Sequence, residues 1–249
     1  MPATYVDDID LSLYGGTDPR DIPAYSILQA AHHLRIPRST LRMWVQPQRR
    51  RFASGHQIIE PLIELPTLEP PLFSFRNLVE VHILDALRYQ HRISLRMIRG
   101  AINNLRQKTG SKHPLVDWDF QTDGKRLLIE ELGELVDAVS NQIVMRQVLE
   151  VYLQRVELDR MGGIARLFPF ITKSRPEKME KEPKVVVIDP LISFGRPVLA
   201  QQGIPTEVIY DRWMAGDSID FLADDYGCLK AEIKAAIRYE EGQRTKKAA

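Results

Sequence analysis

The residues of this sequence with the clearest chemical potential are arginines and hydroxyl-bearing residues near the start of the chain. Guanidinium groups neutralise DNA phosphates and donate paired hydrogen bonds to guanine, and hydroxyl groups bind phosphate oxygens. Residues 23–51 contain six arginines and no acidic residue, although the net charge of the chain is only +1. Such a local basic patch is typical of a modular DNA-binding protein, and a solvated surface is the alternative. The candidate DNA-binding residues are Arg38, Ser39, Thr40, Arg42, Arg49, Arg50 and Arg51.

The spacing of apolar residues predicts a helix–turn–helix that would position these side chains. Ser26 can cap a first helix, because its hydroxyl group can accept a hydrogen bond from a free amide at the helix start. Ile36-Pro37 should end that helix, since proline disfavours helical geometry in the residue before it. A second helix then begins at Arg38 or Ser39 and exposes its N-terminal half, where a recognition helix contacts bases and phosphates. The predicted buried residues are Ile27, Ala30, Ala31 and Leu34 in the first helix, and Leu41, Met43 and Trp44 in the second.

The run over residues 38–44 resembles the recognition helix of MerR-type regulators, whose members carry a similar Thr-Leu-Arg-aromatic signature. The basic run over 49–52 lies where that family has its wing, and a helix pair over 75–88 and 93–99 would complete the domain. Ser94 is the predicted cap of the second helix of this pair. The predicted buried stripes are Leu78, Val79, Ile83, Leu84 and Leu87 in the first helix, and Leu95, Ile98, Ala101, Ile102 and Leu105 in the second. The resemblance therefore implies a winged helix–turn–helix. Members usually continue into a long dimerising coiled coil, but no heptad pattern is sustained here. Because a single helix–turn–helix reads only a few bases, we predict a homodimer that binds double-stranded operator DNA.

Turn signals divide the sequence around and after this motif. Residues 1–22 have no usable apolar pattern and are predicted to be a flexible leader, and 23–110 form the DNA-binding domain. Residues 111–171 are predicted to be a small antiparallel sheet subdomain. A hairpin is expected over residues 120–127, because Asp123-Gly124 lies between strand-like arms, and a further strand is expected over 134–138. A second hairpin is expected with the arms Val151–Asp159 and Ile164–Phe170, because Met161-Gly162-Gly163 between them is also a turn signal. Packing and dimerisation are the expected role of this subdomain, because a small sheet needs a partner to cover it.

The end of the chain is predicted to be a linker followed by a helical module. Residues 172–183 are polar, charged and bounded by proline, and offer no apolar residues to bury. Residues 184–249 begin with a short strand, and three short helices follow it. The helices are predicted over about Glu207–Gly216, from Asp217 or Ser218 to Gly227, and over Leu229–Tyr239. The predicted fold class is α+β, with a winged helix, an appended antiparallel sheet and a small three-helix module.

The C-terminal module carries a series of short motifs at Asp189-Pro190, Gly195-Arg196-Pro197-Val198, Ile204-Pro205, Ala215-Gly216-Asp217-Ser218, Asp225-Tyr226 and Ala235-Ala236 with Tyr239. In combination, and over nearly all of residues 185–240, these motifs resemble a short bacterial antitoxin domain of unknown function. The chain departs from that family at Gly203, where the family prefers arginine, and at Gly227, where it prefers proline. The first departure removes a cation from its loop.

The resemblance implies a protein partner, because in that family the domain is often encoded beside a PIN-like ribonuclease toxin of a VapBC-like system. Aromatic and arginine side chains dominate the energetics of interfaces. The predicted partner-binding residues are therefore Arg196, Arg212 and Trp213. Trp213 could equally be a core residue of the three-helix module.

No arrangement of residues predicts an enzyme, a cofactor or a metal. The histidines never form a metal-binding spacing, and Asp224-Asp225 lack a third ligand at a fitting distance along the chain. Cys228 is the only cysteine, which excludes an internal disulfide and a cysteine zinc site. No targeting signal or membrane-length apolar run is present, so we expect a soluble cytoplasmic protein.

The predicted function is that of an antitoxin and transcriptional autorepressor, which binds DNA through its N-terminal domain and neutralises a ribonuclease toxin through its C-terminal module. The alternative is a MerR-like transcription factor whose C-terminal module senses a ligand or another protein. A third hypothesis is a protein-interaction adaptor in which the helix–turn–helix is only a scaffold.

Overall fold

The structure, a computed structural model, describes residues 11–52, 55–89, 94–117, 142–159, 163–173 and 176–241. Helices and short antiparallel sheets make up an α+β fold. The chain divides into two units. The first comprises Met1–Ala31, Ile36–Gln154 and Leu158–Ile164, and the second comprises His32–Arg35, Arg155–Glu157 and Ala165–Ala249.

Two short helices, α1 (Ile27–Leu34) and α2 (Arg38–Val45), lie near the start of the chain. A reciprocal pair of hydrogen bonds begins α1: the Gln29 amide donates to Ser26 Oγ at 3.3 Å, and the Ser26 amide donates to Gln29 Oε1 at 2.9 Å. This is a capping box, in which two otherwise free amides are satisfied. The predicted cap at Ser26 is confirmed, and α2 begins at Arg38, after Pro37.

The buried side of α2 differs from the prediction at one position. Leu41 and Trp44 are buried as expected, and Val45 is buried with them. These three residues follow the helical spacing of three and four, which places them on one stripe. Met43 falls off that stripe and is only half-buried, so its assignment to the core was wrong.

The first unit also contains five strands, which form a β-hairpin and a small sheet. They are β1 (Tyr25–Ser26), β2 (Gln48–Phe52), β3 (Gly55–Ile59), β4 (Thr67–Leu68) and β5 (Pro71–Phe73). In the hairpin, β2 pairs antiparallel with β3, and the register places Gln48 opposite Ile59 and Phe52 opposite Gly55. The sheet has the strand order β1-β5-β4.

The next two helices, α3 (Phe75–Tyr89) and α4 (Leu95–Thr109), supply much of the core of the first unit. The Met97 amide donates to Ser94 Oγ at 3.3 Å, so Ser94 caps α4 as predicted. Both predicted stripes are buried except at the half-buried Leu95. The buried residues are Leu78, Val79, Ile83, Leu84 and Leu87 on α3, and Ile98, Ala101, Ile102 and Leu105 on α4.

The middle of the chain corrects part of the predicted sheet. The hairpin over 120–127 and the strand over 134–138 lie outside the described residues. The strand expected from Val151 is wrong at its start, because α5 (Gln142–Leu153) continues through that position. Tyr152 is fully buried on this helix, and its hydroxyl donates to Asp85 Oδ2 of α3 at 2.9 Å. This tertiary contact favours helix over the β propensity of Val151-Tyr152.

A short two-stranded sheet follows α5. It is formed by β6 (Val156–Leu158) and β7 (Ile164–Leu167), which agrees with the turn signal predicted between them. After it, α6 (Pro176–Glu180) lies inside the segment predicted to be a linker. The premise that this segment has no apolar residue to bury was wrong, because Met179 is only 1% exposed.

The second unit ends in the three helices that the sequence predicts. They are α7 (Thr206–Met214), α8 (Ile219–Tyr226) and α9 (Lys230–Glu241). Two short strands, β8 (Val186–Val187) and β9 (Val198–Leu199), pair antiparallel ahead of them. One apolar cluster joins β9 to all three helices, and its buried residues are Leu199, Ile209, Tyr210, Leu222, Ala223, Ile233, Ala236 and Ile237.

Candidate nucleic-acid interface and partner surface

Helix α2 presents the predicted recognition residues at its N-terminal half. Arg38, Ser39 and Arg42 are exposed, whereas Thr40 is half-buried. Arg38 and Arg42 are four residues apart and therefore lie on one face of the helix. Within the described part of the chain, neither guanidinium group has a hydrogen bond or an ion pair. These side chains therefore have all their donors available for another molecule.

The β2–β3 hairpin adds a second set of exposed cations. Arg49 and Arg51 alternate along β2 and share one face of the hairpin. Their cross-strand partners on that face are Ile58 and His56, and all four side chains are exposed. Arg50 lies between the two arginines in β2, and the backbone register places it opposite Gln57.

The exposure of these cations is favourable for binding an anionic surface. A guanidinium group that is already in water and has no carboxylate partner loses no ion pair when it meets a phosphate. Each such contact releases a counterion from duplex DNA and adds to a salt-dependent affinity. The arrangement of α2 and the hairpin can therefore supply both phosphate contacts and base contacts.

Arginines on α4 have a different role from those on α2. An Arg99 Nη2–H donates to the carbonyl oxygen of Glu60 at 3.1 Å, and Arg106 forms an ion pair with Glu64 at 3.2 Å. Both contacts hold residues 60–64, which follow the hairpin, against α4. Arg96 is exposed. The helix face is thus largely occupied by contacts within the first unit.

In the second unit, the predicted partner residue Arg212 is held by its own neighbours. Its guanidinium group donates to Asp217 Oδ2 at 2.7 Å and to Asp225 Oδ2 at 2.5 Å. It also lies over the rings of Phe221, at 5.6 Å, and Tyr226, at 5.1 Å. The hydrogen bonds to Asp225, Tyr226 and Asp217 raise its pKa above the ordinary arginine value. Arg212 therefore joins α7 to α8.

The other two predicted partner residues lie in different surroundings. Trp213 is half-buried and packs against the apolar cluster, with its ring 5.7 Å from that of Tyr210. These contacts agree with the alternative in which Trp213 belongs to the core of the module. Arg196 is exposed, and its Nε–H donates to the carbonyl oxygen of Ser193 at 3.3 Å.

Phe194 lies two residues before Arg196 and was missed by the sequence analysis. Phe194 is 86% exposed, more than any other large apolar side chain whose exposure is described. The available signal was an aromatic residue placed directly before the Gly-Arg-Pro motif in a turn-rich segment. Its exposure could not be inferred, because Phe194 lies in a turn between two short strands, where no periodic pattern of apolar residues indicates which side chains are buried.

The described residues contain no group of three or more potential metal ligands. Asp225 of the acidic pair is engaged by Arg212. Burial raises the pKa of the Cys228 thiol, and the charge of Glu232 adds to this effect. A raised pKa reduces the thiolate fraction and hence the reactivity of the sulfur. None of the helices within the described ranges has the length and apolarity that a membrane crossing requires.

Known proteins resemble this chain at two levels. Residues 186–239 match a family model described as "Protein of unknown function (DUF433)". This segment contains α7, α8 and most of α9, and it is the segment whose motifs resemble an antitoxin domain.

A relative matches at greater length. Over 237 residues the chain is 28% identical to the Mycobacterium tuberculosis protein named "Putative antitoxin VapB45", and the match covers 87% of this chain and 93% of that protein. This similarity supports an antitoxin role. The X-ray crystal structure of Rv2018 from Mycobacterium tuberculosis has a similar fold, with a TM-score of 0.59 and 21% identity over 87% of this chain and 98% of that chain.

Proposed function

We propose that this protein is the cytoplasmic antitoxin of a type II, VapBC-like toxin–antitoxin system. Its N-terminal domain represses its own operon, and its C-terminal module neutralises a PIN-like ribonuclease toxin. The observation that carries the proposal is the 28% identity to a protein named as an antitoxin, along 93% of that protein.

DNA binding is assigned to a MerR-like winged helix–turn–helix. In this assignment α2 is the recognition helix, with Arg38 and Arg42 directed at base edges, and Ser39 and Thr40 at phosphates. The β2–β3 hairpin is the wing, with Arg49, Arg50 and Arg51 meeting the backbone of the duplex. The exposure of Arg38 and Arg42, together with their lack of a described partner, supports this assignment.

A homodimer is the form that we assign to the DNA-bound protein. Two recognition helices on a two-fold axis read two half-sites, whose centres lie about 34 Å, or a multiple of that distance, apart on the DNA. Doubling the number of contacted bases gives the specificity that one helix lacks. A duplex that carries a single half-site is therefore expected to bind more weakly than the full operator.

A gel shift with the DNA directly upstream of the gene tests this assignment. Arg42→Ala is expected to weaken the free energy of DNA binding by about 1–3 kcal/mol and to relax base preference. Arg51→Ala is expected to reduce the slope of log affinity against log salt concentration by about one. The matched control is Arg238→Ala, which removes an exposed cation from α9 and should leave binding unchanged. Specific binding that survives Arg42→Ala unchanged contradicts the assignment. The absence of any shift favours the adaptor hypothesis.

Toxin neutralisation is assigned to occlusion of the nuclease cleft. PIN-like nucleases hold metal ions with carboxylates, so a cationic and apolar surface can cover the cleft and exclude RNA. Among the nominated residues Arg196, Arg212 and Trp213, only Arg196 is exposed and free of a described carboxylate. Arg212 and Trp213 support the surface from within the module, since both contact its own side chains.

A further inference from the structure

The loop between β8 and β9 carries an exposed aromatic side chain on an unusual backbone. Ser193, Phe194 and Gly195 have φ values of 50°, 56° and 74°. Left-handed geometry is unfavourable for residues other than glycine, and it persists only where the surrounding structure imposes it. Phe194 is also 86% exposed and therefore contributes little to the core. Packing within the second unit does not account for the exposed ring.

The base of this loop is firmly attached to the second unit. Asp189 is 5% exposed, and it accepts hydrogen bonds from the Leu191 amide at 2.9 Å and from Arg166 Nε at 2.8 Å. The Ile192 amide donates to the Asp189 carbonyl oxygen at 3.0 Å. Ile192 itself packs against the small apolar cluster of Phe168, Val187 and Val198. The loop is therefore held in its conformation before any partner arrives.

Arg196 completes the surface of the loop. Its amide and its Nε–H both donate to the Ser193 carbonyl oxygen, at 3.2 and 3.3 Å, which fixes the start of the side chain. No carboxylate within the described ranges pairs with this guanidinium group. By contrast, the exposed ring of Phe221 is already covered in part by Arg212, at 5.6 Å. The loop thus presents one uncovered ring and one unpaired cation, two residues apart.

We propose that Phe194 is the anchor by which the second unit binds the toxin. Its ring enters an apolar pocket of that protein, and Arg196 pairs with a carboxylate at the rim of the pocket. This inference rests on the proposed antitoxin function. Aromatic anchors and arginines dominate binding energy, and a loop that is already fixed loses little conformational entropy on association. The loop also lies inside residues 186–239, the segment that matches DUF433.

Co-expression with the protein encoded by the adjacent gene provides the test. The full-length tagged chain is purified with that protein, and the dissociation constant is measured with purified components. Phe194→Ala is expected to raise the dissociation constant about 30-fold, the range of a binding hot spot. Arg196→Ala is expected to cause a smaller loss, which shrinks further at high salt. Both variants should unfold at the same temperature as the wild type, because neither side chain is buried.

The matched control is Leu229→Ala, which removes another exposed apolar side chain, 69% exposed, from the same family segment. It should change the dissociation constant by less than about threefold, as most interface-neutral positions do. If the wild type binds the adjacent protein and Phe194→Ala changes the dissociation constant by less than threefold, the anchor role of Phe194 is overturned and the antitoxin proposal is not. Equal losses for Phe194→Ala and Leu229→Ala also overturn it. Failure of the wild type to bind the adjacent protein overturns both.

Discussion

The buried Arg155 and the exposed Arg42 show two different uses of arginine in this protein. Arg155 is 4% exposed, and it donates to the carbonyl oxygens of Phe168 at 2.8 Å, Glu182 at 2.8 Å and Pro169 at 3.2 Å. Burial lowers its pKa, although the charge of Glu182 opposes that effect. Such an arginine joins chain segments and is unavailable to ligands. Arg42 is exposed and has none of these contacts, which is the condition that DNA binding requires.

An ion pair between the half-buried His113 and the buried Glu80 gives the first unit a pH-dependent stability. His113 Nδ1 lies 3.0 Å from Glu80 Oε2, and the Glu80 side chain is 4% exposed. Burial opposes the charged imidazole, but the hydrogen bond and charge of Glu80 outweigh it and raise the pKa of His113. Burial also raises the pKa of Glu80, against the effect of His113. Both groups therefore bind protons more tightly in the folded state than in the unfolded state.

From the raised pKa of His113 we predict a loss of stability as the solution becomes alkaline. A raised folded-state pKa stabilises the fold fully below the unfolded value, about 6.5 for histidine, and this stabilisation is lost as pH rises through the folded value. His113→Gln should therefore destabilise the protein more at pH 5.5 than at pH 8.5. Urea unfolding at the two pH values measures the difference, with the exposed His56→Gln as control. A difference in the free energy of unfolding between wild type and His113→Gln that is larger at pH 8.5 than at pH 5.5 contradicts the stabilising role of the His113–Glu80 pair.

At the scale of elements, the ends of the C-terminal helices are set by local hydrogen bonds. Ser218 Oγ accepts from the Phe221 amide at 3.1 Å and caps α8. Gly227, with φ 62°, ends the same helix by donating its amide to the carbonyl oxygens of Ala223 and Asp224. Asp217, the other predicted cap, instead pairs with Arg212. The two adjacent side chains thus have separate functions.

Removal of the α8 cap tests this account of the element. Ser218→Ala should lower the free energy of unfolding by about 1 kcal/mol, because an amide at the helix start loses its acceptor. Ser218→Asn should retain most of the stability, since asparagine is an equally good cap. Ser39→Ala is the control, because its hydroxyl group is exposed and should change stability by less than about 0.5 kcal/mol. Equal urea midpoints for Ser218→Ala and wild type contradict the role of the cap.

Helix ends that depend on side chains close in sequence could be predicted, and those that depend on contacts with distant parts of the chain could not. The caps at Ser26, Ser94 and Ser218 follow from side-chain chemistry within three residues. Helix α5 was missed at its end because Val151 and Tyr152 have strand propensity, whereas the acceptor for the Tyr152 hydroxyl lies on α3. Neighbours distant in sequence thus override local preference.

The candidate functional residues of the whole molecule likewise differ in whether short-range sequence patterns or the folded structure identify them. The arginines of α2 and the hairpin could be found from the sequence, because both elements have short, regular spacing. Phe194 could not, since its exposure depends on a left-handed backbone. The hydrogen bonds at this turn run from the Ile192 amide to the Asp189 carbonyl oxygen and from the Gly195 amide to the Ile192 carbonyl oxygen. Arg212 was nominated for its chemistry alone. Its engagement by Asp217 and Asp225 became visible only with α7 and α8 folded.

Each unit carries one half of the proposed function. The first contains α2 and the hairpin, whose unpaired cations suit DNA. The second contains the DUF433 segment and the Phe194 loop, which suit a protein partner. The proposed function combines both capacities in one chain.

Inhibition of the toxin tests the central claim most directly. The protein encoded by the adjacent gene is purified, and its cleavage of RNA is measured while this protein is added in increasing amounts. We predict that cleavage falls linearly and reaches background at a fixed molar ratio, which indicates tight stoichiometric binding. Active cleavage that continues unchanged in a large molar excess of this protein would contradict the antitoxin assignment.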